Sequence, residues 1–166
     1  GLGCNNFGMR LFDQEQVNTI VNTALDAGIN FFDTADMYGN GMSEQMLGKA
    51  LGSRRSEVIV GTKFGMKMDD DDNKQGASRR YILEAVEASL TRLGSDYIDL
   101  YQVHFPDPET PISETLETLN ELVTAGKVRF IGNSNFTGDM VTEAEKAAEA
   151  SGTVKFVSAQ NHYNLI

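Results

Sequence analysis

Four side chains that could together move a proton stand at or just after the ends of three apolar segments. Asp33 ends one segment and Tyr38 follows five residues later, while Lys63 and His104 end the next two segments. If these segments are parallel strands of one sheet, their carboxyl ends gather the four groups into a single pocket. A carboxylate, a phenol, an ammonium and an imidazole in one pocket can move a proton onto or off a polarised oxygen, so the set indicates an enzyme.

Each of the four residues has a role that depends on the other three. A free tyrosine has a pKa of ~10, and a neighbouring Lys63 ammonium would stabilise the phenolate and lower the pKa of Tyr38. Asp33 can pair with Lys63, and His104 can donate a hydrogen bond to a substrate carbonyl. Taken singly, each residue also fits a structural role, such as a turn, a surface lysine or a core histidine. The prediction therefore depends on the four being close together.

Apolar strand-like segments alternate with helical ones along the whole chain. Strands are predicted at 1–4, 29–33, 58–63, 97–104, 128–133 and 156–161, with starts that recur at roughly the 30-residue spacing of a βα unit. Helices are predicted between them, with Asp13, Ser78 and Thr110 as N-terminal caps and Pro111 at the first helical position after Thr110. The other two helices are predicted to start at Ser43 and Thr137. This alternation predicts six strands and five helices.

Two architectures fit the alternation, namely a (βα)8 TIM-type barrel and a doubly wound open sheet. The barrel is favoured because polar residues end nearly every strand, and a barrel directs them all to one centre: Asp33, Lys63, His104, Ser134 and Gln160. The dinucleotide fingerprint of the open sheet is missing, since Asn6 stands where its third glycine belongs. Six strands do not close an eight-stranded barrel, so we expect 1–166 to be a single barrel domain whose C-terminal part is not present in this chain.

Composition and charge exclude several classes of protein. The net charge of −10 and a pI of about 4.6 argue against nucleic-acid binding, which needs a basic surface. A single cysteine, Cys4, allows no internal disulfide and fits a reducing compartment. No signal peptide and no apolar run of ~18 residues is present, so we expect a soluble, cytoplasmic protein with no membrane partner. The acidic run Asp69–Asp72 predicts a solvated loop, because it lacks the ligand spacing of a calcium site.

Five motifs in order resemble those of aldo-keto reductases, in register from Gly1 to Ile166. They are FFDTADMYG at 31–39, GTKFG at 61–65, LYQVHFPD at 100–107, GKVRFIGNSNF at 126–136 and QN at 160–161. The segment Asp107–Ile112 is most similar to the bacterial and plant-type branch. The resemblance implies that Tyr38 is the general acid, that Lys63 and Asp33 tune it, and that His104 positions a substrate carbonyl. It also implies hydride transfer from a nicotinamide cofactor, usually NADPH.

The resemblance further implies which residues contact the cofactor. Ser134, Asn135 and Gln160 match contacts to the nicotinamide carboxamide, and Cys4, Asn5 and Asp33 match contacts near the ribose and nicotinamide. Asn133 departs from the family pattern, which has a small or apolar residue there. We expect this side chain to face the barrel interior and to need hydrogen-bond partners. The family's elements for the adenosine phosphate do not lie within 1–166, so the choice between NADPH and NADH is not predicted.

The predicted function is reduction of an aldehyde or ketone by NADP(H), with a small-molecule carbonyl substrate. The alternative is a cofactor-binding regulatory subunit similar to potassium-channel β subunits, which keep the reductase fold. If the chain is complete at 166 residues, uncovered strand edges predict that it oligomerises, aggregates or binds a complementing fragment. The sequence does not indicate an oligomeric state.

Overall fold

One parallel sheet organises the chain in a computed structural model that describes residues 1–11, 13–68 and 71–164. Within these residues the sheet has six strands that pair in chain order. They are β1 (Leu2–Gly3), β2 (Phe31–Asp33), β3 (Ile59–Phe64), β4 (Ile98–Val103), β5 (Val128–Ser134) and β6 (Ser158–Gln160). A doubly wound sheet would reverse its strand order part-way, so this order excludes that alternative and is the order of a (βα)8 barrel.

Five α-helices connect the strands in the described ranges, as predicted. They are α1 (Gln14–Asp26), α2 (Met42–Leu51), α3 (Arg79–Leu93), α4 (Ile112–Thr124) and α5 (Gly138–Ser151), with a short 3-10 helix at Gly52–Glu57 after α2. Asp13, Ser78 and Thr137 cap α1, α3 and α5, each accepting a hydrogen bond from a backbone N–H of the first turn. The predicted Thr110 cap is wrong, because its hydroxyl donates to Asp107 and Pro111 itself occupies the N-cap of α4.

Alternating residues of the strands face either the helices or the barrel interior. Lys63 and Gln102 are register partners on the inner face, while Thr62 on the outer face bonds a side chain of α2. The expectation that Asn133 faces the interior is wrong. It pairs with Val103 and lines a cavity of about 180 Å³ beside Val141 of α5. The pleat explains this, since inward-facing Ser134 is the next residue along β5.

An ionic cluster joins the strands at their amino ends, opposite the candidate catalytic groups. The carboxylate of Asp99 is almost fully buried and accepts hydrogen bonds or ion pairs from Arg55, Arg129 and the N–H of Val60 at 2.8–3.0 Å. Both guanidinium groups lie over the ring of Tyr97, at 4.4 and 4.0 Å from its centroid. Because this cluster ties β3, β4 and β5 together, we assign it to stability.

The acidic run lies partly outside the described residues. Asp69 and Asp70 are not described, whereas Asp72 pairs with Lys67 at the surface. None of the helices in the described part of the chain is long and apolar enough to cross a bilayer.

Candidate active site

A buried lysine forms the centre of the site. Lys63 is 2 % exposed and its Nζ donates to Asp33 Oδ2 at 2.9 Å and to the backbone oxygen of Thr34 at 2.8 Å. Strand pairing brings these partners together, since Asp33 ends β2 opposite Gly61, two residues before Lys63 on β3. A buried lysine requires such acceptors, so Asp33 and the Thr34 carbonyl satisfy and orient its amine.

The ring of Tyr38 lies against this lysine. Lys63 Nζ is 5.2 Å from the centroid of the tyrosine ring, and the ring meets His104 edge-on at 5.8 Å between centroids. Burial first, and then the charge of Asp33, raise the pKa of Tyr38. This direction is opposite to the predicted lowering, because desolvation of the phenolate dominates and Lys63 directs its hydrogen bonds to Asp33 and Thr34. The phenol therefore keeps its proton at neutral pH.

His104 is a neutral base in this site. Burial and the nearby Lys63 lower the pKa of its imidazole to about 4, while the charge of Asp33 opposes that shift. A neutral imidazole has one N–H donor and one acceptor nitrogen. His104 Nδ1 is buried and has no hydrogen-bond partner within the described residues. The ring can therefore donate to, or accept from, a small molecule bound beside Tyr38.

Three further predicted residues line the same end of the sheet. Ser134 Oγ donates to the backbone oxygen of Gln160 at 2.8 Å, and Asn135 Nδ2 donates to the backbone oxygen of His104 at 2.9 Å. The Gln160 side-chain amide donates to Asp33 Oδ2 at 3.2 Å and so connects these residues to the ion pair of Asp33 and Lys63. Asn135 holds a positive φ of 62°, which turns the chain sharply after β5.

Cys4 and Asn5, also predicted near the cofactor, are placed differently from each other. Cys4 is fully buried, and its N–H donates to the backbone oxygen of Asp33 at 2.8 Å. Burial, with the charge of Asp33 adding to it, raises the pKa of the Cys4 thiol to about 12, so it is not a nucleophile. Asn5 is exposed in the turn after β1, and no hydrogen bond joins it to another side chain of the described site. The structure thus brings Cys4 into the site and leaves Asn5 at its rim.

The loop that carries Tyr38 is fixed by contacts that the sequence analysis missed. Ser43 Oγ shares a hydrogen bond of 2.8 Å with Thr34 Oγ1 and donates to the backbone oxygen of Cys4 at 2.8 Å. Gly39 has a φ of 56° and lies so close to Gly8 that an added Cβ would come within 2.6 Å of the Gly8 oxygen. The only sequence signal for this anchoring is the run of small residues at every second position, Gly39, Gly41 and Ser43.

Behind the loop lies a buried acid that was not predicted from the sequence. Glu44, in the first turn of α2, is fully buried and accepts hydrogen bonds of 2.6 Å from both Thr62 Oγ1 and Arg92 Nε. A signal was available, since Glu44 shares the apolar stripe of α2 with Leu47, three residues later. Burial and the charge of Glu44 raise the pKa of neighbouring Asp36 to about 8.

The donors and acceptors at the mouth suit a nicotinamide better than a metal ion. Asp33 Oδ1 is buried with no hydrogen-bond partner in the described ranges, and the Gln160 amide bonds the other oxygen of the same carboxylate. The amide and hydroxyl groups of Ser134, Asn135 and Gln160 can both donate hydrogen bonds to, and accept them from, the carboxamide of a nicotinamide. Among the described residues, no group of three or more His, Cys, Asp or Glu side chains could hold a metal ion.

Comparison with known proteins places this geometry in a family. The family model described as the aldo/keto reductase family matches residues 1–166. An aldo-keto reductase of Fusarium vanettenii is 41 % identical over 94 % of this chain and 49 % of its own length. A probable voltage-gated potassium channel subunit beta of Arabidopsis thaliana is 37 % identical over 96 % of this chain and 49 % of its own length.

The fold agrees with a solved structure of the same family. The crystal structure of an aldo-keto reductase from Klebsiella pneumoniae in complex with NADPH superimposes with a TM-score of 0.85 at 28 % identity. The alignment covers 98 % of this chain and 53 % of that one. The chain therefore spans about half the length of the relatives it matches, and the predicted incomplete (βα)8 barrel is confirmed.

Proposed function

This chain belongs to the aldo/keto reductase family, and we propose that the complete protein reduces aldehydes or ketones to alcohols with NADPH, Tyr38 being the proton donor. The single observation that carries the proposal is the ion pair of buried Lys63 with Asp33, which has the rings of Tyr38 and His104 beside it. Carbonyl reduction needs an acid beside the developing alkoxide, and this arrangement supplies one.

Tyr38 transfers the proton, and Lys63 then stabilises the phenolate that is left. Because burial raises the pKa of Tyr38, the phenol is protonated when substrate binds. Its O–H donates to the carbonyl oxygen and releases the proton as negative charge develops there. The phenolate that remains is stabilised by the Lys63 ammonium, which Asp33 keeps in place.

His104 orients the substrate in this scheme. Its imidazole is neutral across the physiological range because its pKa lies at about 4. A neutral ring can donate a hydrogen bond to the carbonyl oxygen without competing with Tyr38 as the acid. The imidazole and the phenol then donate two hydrogen bonds to the carbonyl oxygen, which polarises the carbonyl group.

A nicotinamide cofactor supplies the hydride when it is bound. Ser134, Asn135 and Gln160 offer hydroxyl and amide groups for its carboxamide, and the second carboxylate oxygen of Asp33 offers an acceptor. Asn5 lies exposed at the rim of the same mouth, next to the buried Cys4. The complex of the Klebsiella pneumoniae relative with NADPH supports this choice of cofactor.

The experiment is carbonyl-dependent oxidation of NADPH by the complete protein and by Tyr38→Phe. We expect Tyr38→Phe to lose at least 100-fold in turnover, a loss in the range that a positioned general acid contributes, while its affinity for NADPH stays within threefold. Tyr97→Phe is the matched control, because that ring lies at the opposite end of the strands. Equal turnover by wild type and Tyr38→Phe would refute Tyr38 as the proton donor.

The second candidate function is a nicotinamide-binding regulatory subunit with negligible turnover. The similarity to the Arabidopsis thaliana channel subunit over nearly the whole chain favours it. It predicts tight NADPH binding, a stable complex with a potassium channel, and no measurable oxidation of NADPH with any of a panel of aldehydes. Turnover that depends on Tyr38 would decide for the enzyme.

A further inference from the structure

We propose that Glu44 and Arg92, on the outer face of the sheet, are positioning residues that set the placement of Tyr38 relative to Lys63. The inference deepens the proposed function and rests on it. Neither residue reaches the mouth of the site, since Glu44 is fully buried behind β3 and the Arg92 side chain is only 17 % exposed.

The carboxylate of Glu44 joins the elements that carry the catalytic pair. Thr62 Oγ1 donates to Glu44 Oε1 at 2.6 Å, and Thr62 directly precedes Lys63 on β3. Glu44 itself belongs to the first turn of α2, which follows the Tyr38 loop with no spacer. A single carboxylate therefore connects the strand of the amine to the helix of the phenol.

Arg92 fixes the other oxygen of that carboxylate. Its Nε donates to Glu44 Oε2 at 2.6 Å, and its second guanidinium nitrogen donates to Ser89 of α3 at 3.1 Å. The same side chain packs on the start of α2, because a Cβ added at Gly41 would come within 2.6 Å of Arg92 Cδ. The position of α2 along β3 is thus set by the planar guanidinium of Arg92, which donates two hydrogen bonds.

The Tyr38 loop is a series of hydrogen-bonded turns that runs directly into α2, with Tyr38 N–H donating to the backbone oxygen of Ala35 at 3.2 Å and Met42 N–H to that of Gly39 at 3.1 Å. Asp36 N–H donates to the backbone oxygen of Lys63 at 3.0 Å at the start, and Ser43 N–H donates to the backbone oxygen of Tyr38 at 3.2 Å near the end. Gly41, at the N-cap of α2, has a φ of 86° and no side chain to make a cap bond. If α2 shifts, the phenol shifts with it, and a displacement near 1 Å can cost about 100-fold in rate.

Thr62→Val tests the proposal without changing any charge. It removes the hydroxyl that bonds Glu44 and keeps the shape and the β-branch of the side chain. We expect the single-turnover rate of NADPH oxidation to fall at least tenfold, with NADPH affinity within threefold, and Thr62→Ser to restore it to within twofold of wild type. Glu44→Gln should lose at least as much as Thr62→Val.

The matched control is Asp99→Asn, which weakens an ion-pair cluster around another buried carboxylate at the far end of the strands. A merely structural role for Glu44 would make both ionic clusters equivalent. We therefore expect Asp99→Asn to lower the resistance to urea but to leave the single-turnover rate of the folded protein within twofold.

A second readout does not depend on turnover. The ultraviolet titration of the Tyr38 phenol, taken as the difference between each protein and its Tyr38→Phe counterpart, should shift in Thr62→Val and stay unchanged in Asp99→Asn. If wild type shows no turnover, the proposed function fails and this titration still decides the positioning role. A folded Thr62→Val with wild-type rate and titration, or an Asp99→Asn that loses both equally, would overturn the proposal.

Discussion

The neutral state of buried His104 predicts a measurable dependence of stability on pH. Its pKa is about 4 in the folded protein and 6.5 when solvated, mainly because burial disfavours the charged ring. The unfolded chain therefore takes up a proton as the pH falls below 6.5, while the folded protein does so only near 4. Stability that depends on this residue is fully present above 6.5 and is lost as the pH falls toward 4.

The size of the effect follows from the two pKa values. A pKa difference of about 2.5 between the two states corresponds to about 3.4 kcal/mol when it is fully expressed, at 1.36 kcal/mol for each pKa unit. At pH 5 only part of it is expressed, so between pH 7 and pH 5 protonation of the unfolded state lowers the free energy of unfolding by about 2 kcal/mol. Other titrating groups add their own dependence. The contribution of His104 is therefore the difference between wild type and His104→Asn over the same interval.

Urea unfolding of the complete protein at pH 7 and pH 5 measures that difference. His104→Asn should lose about 2 kcal/mol less than wild type on going to pH 5. The chain has two histidines, and His162, which is exposed, provides the control. His162→Asn makes the same replacement at an exposed side chain, so it separates the loss of the buried imidazole from the effect of the substitution itself. If His104→Asn and wild type lose the same free energy within 0.5 kcal/mol, the imidazole is not held neutral by burial.

Three other outcomes follow from the structure. Cys4, with its pKa raised to about 12, should react with iodoacetamide at pH 8 at least 100-fold more slowly in the folded protein than in urea. Asp99→Asn should lower the free energy of unfolding by about 3 kcal/mol, since Arg55 then stays buried with a weakened partner. Gly48→Ala should lower the free energy of unfolding by about 1–3 kcal/mol, because an added Cβ lies 2.3 Å from a backbone oxygen of α3. Gly138→Ala should raise it by about 0.5–1 kcal/mol, because its added Cβ meets no atom within 4 Å. Urea unfolding measures both changes.

The fold and the inward-facing part of the site were predictable because both follow from local patterns. Asp33, Lys63 and His104 each follow an apolar segment, and the parallel arrangement that those segments imply brings the three together. The helix caps at Asp13 and Ser78 were equally local. Periodicity thus indicated where the elements begin and which of their ends carry polar groups.

The errors share a physical cause, which is that facing and burial depend on neighbouring elements. Asn133 was expected inside the barrel, yet it lies one residue before inward-facing Ser134 and so faces α5. The pKa of Tyr38 was expected to fall, yet burial raises it because Lys63 already bonds Asp33. The sequence identifies the charges present, but the sign of a pKa shift depends on distances and desolvation that only the fold sets.

The two faces of β3 explain why the outer face matters for catalysis. Thr62 and Lys63 are consecutive and so point in opposite directions, and each bonds a carboxylate, that of buried Glu44 outside and that of half-buried Asp33 inside. The strand is therefore held from both sides at the one residue pair that carries the amine. We expect a change that loosens the outer bond to displace the inner one as well, because a densely packed interior transmits strain between neighbouring residues.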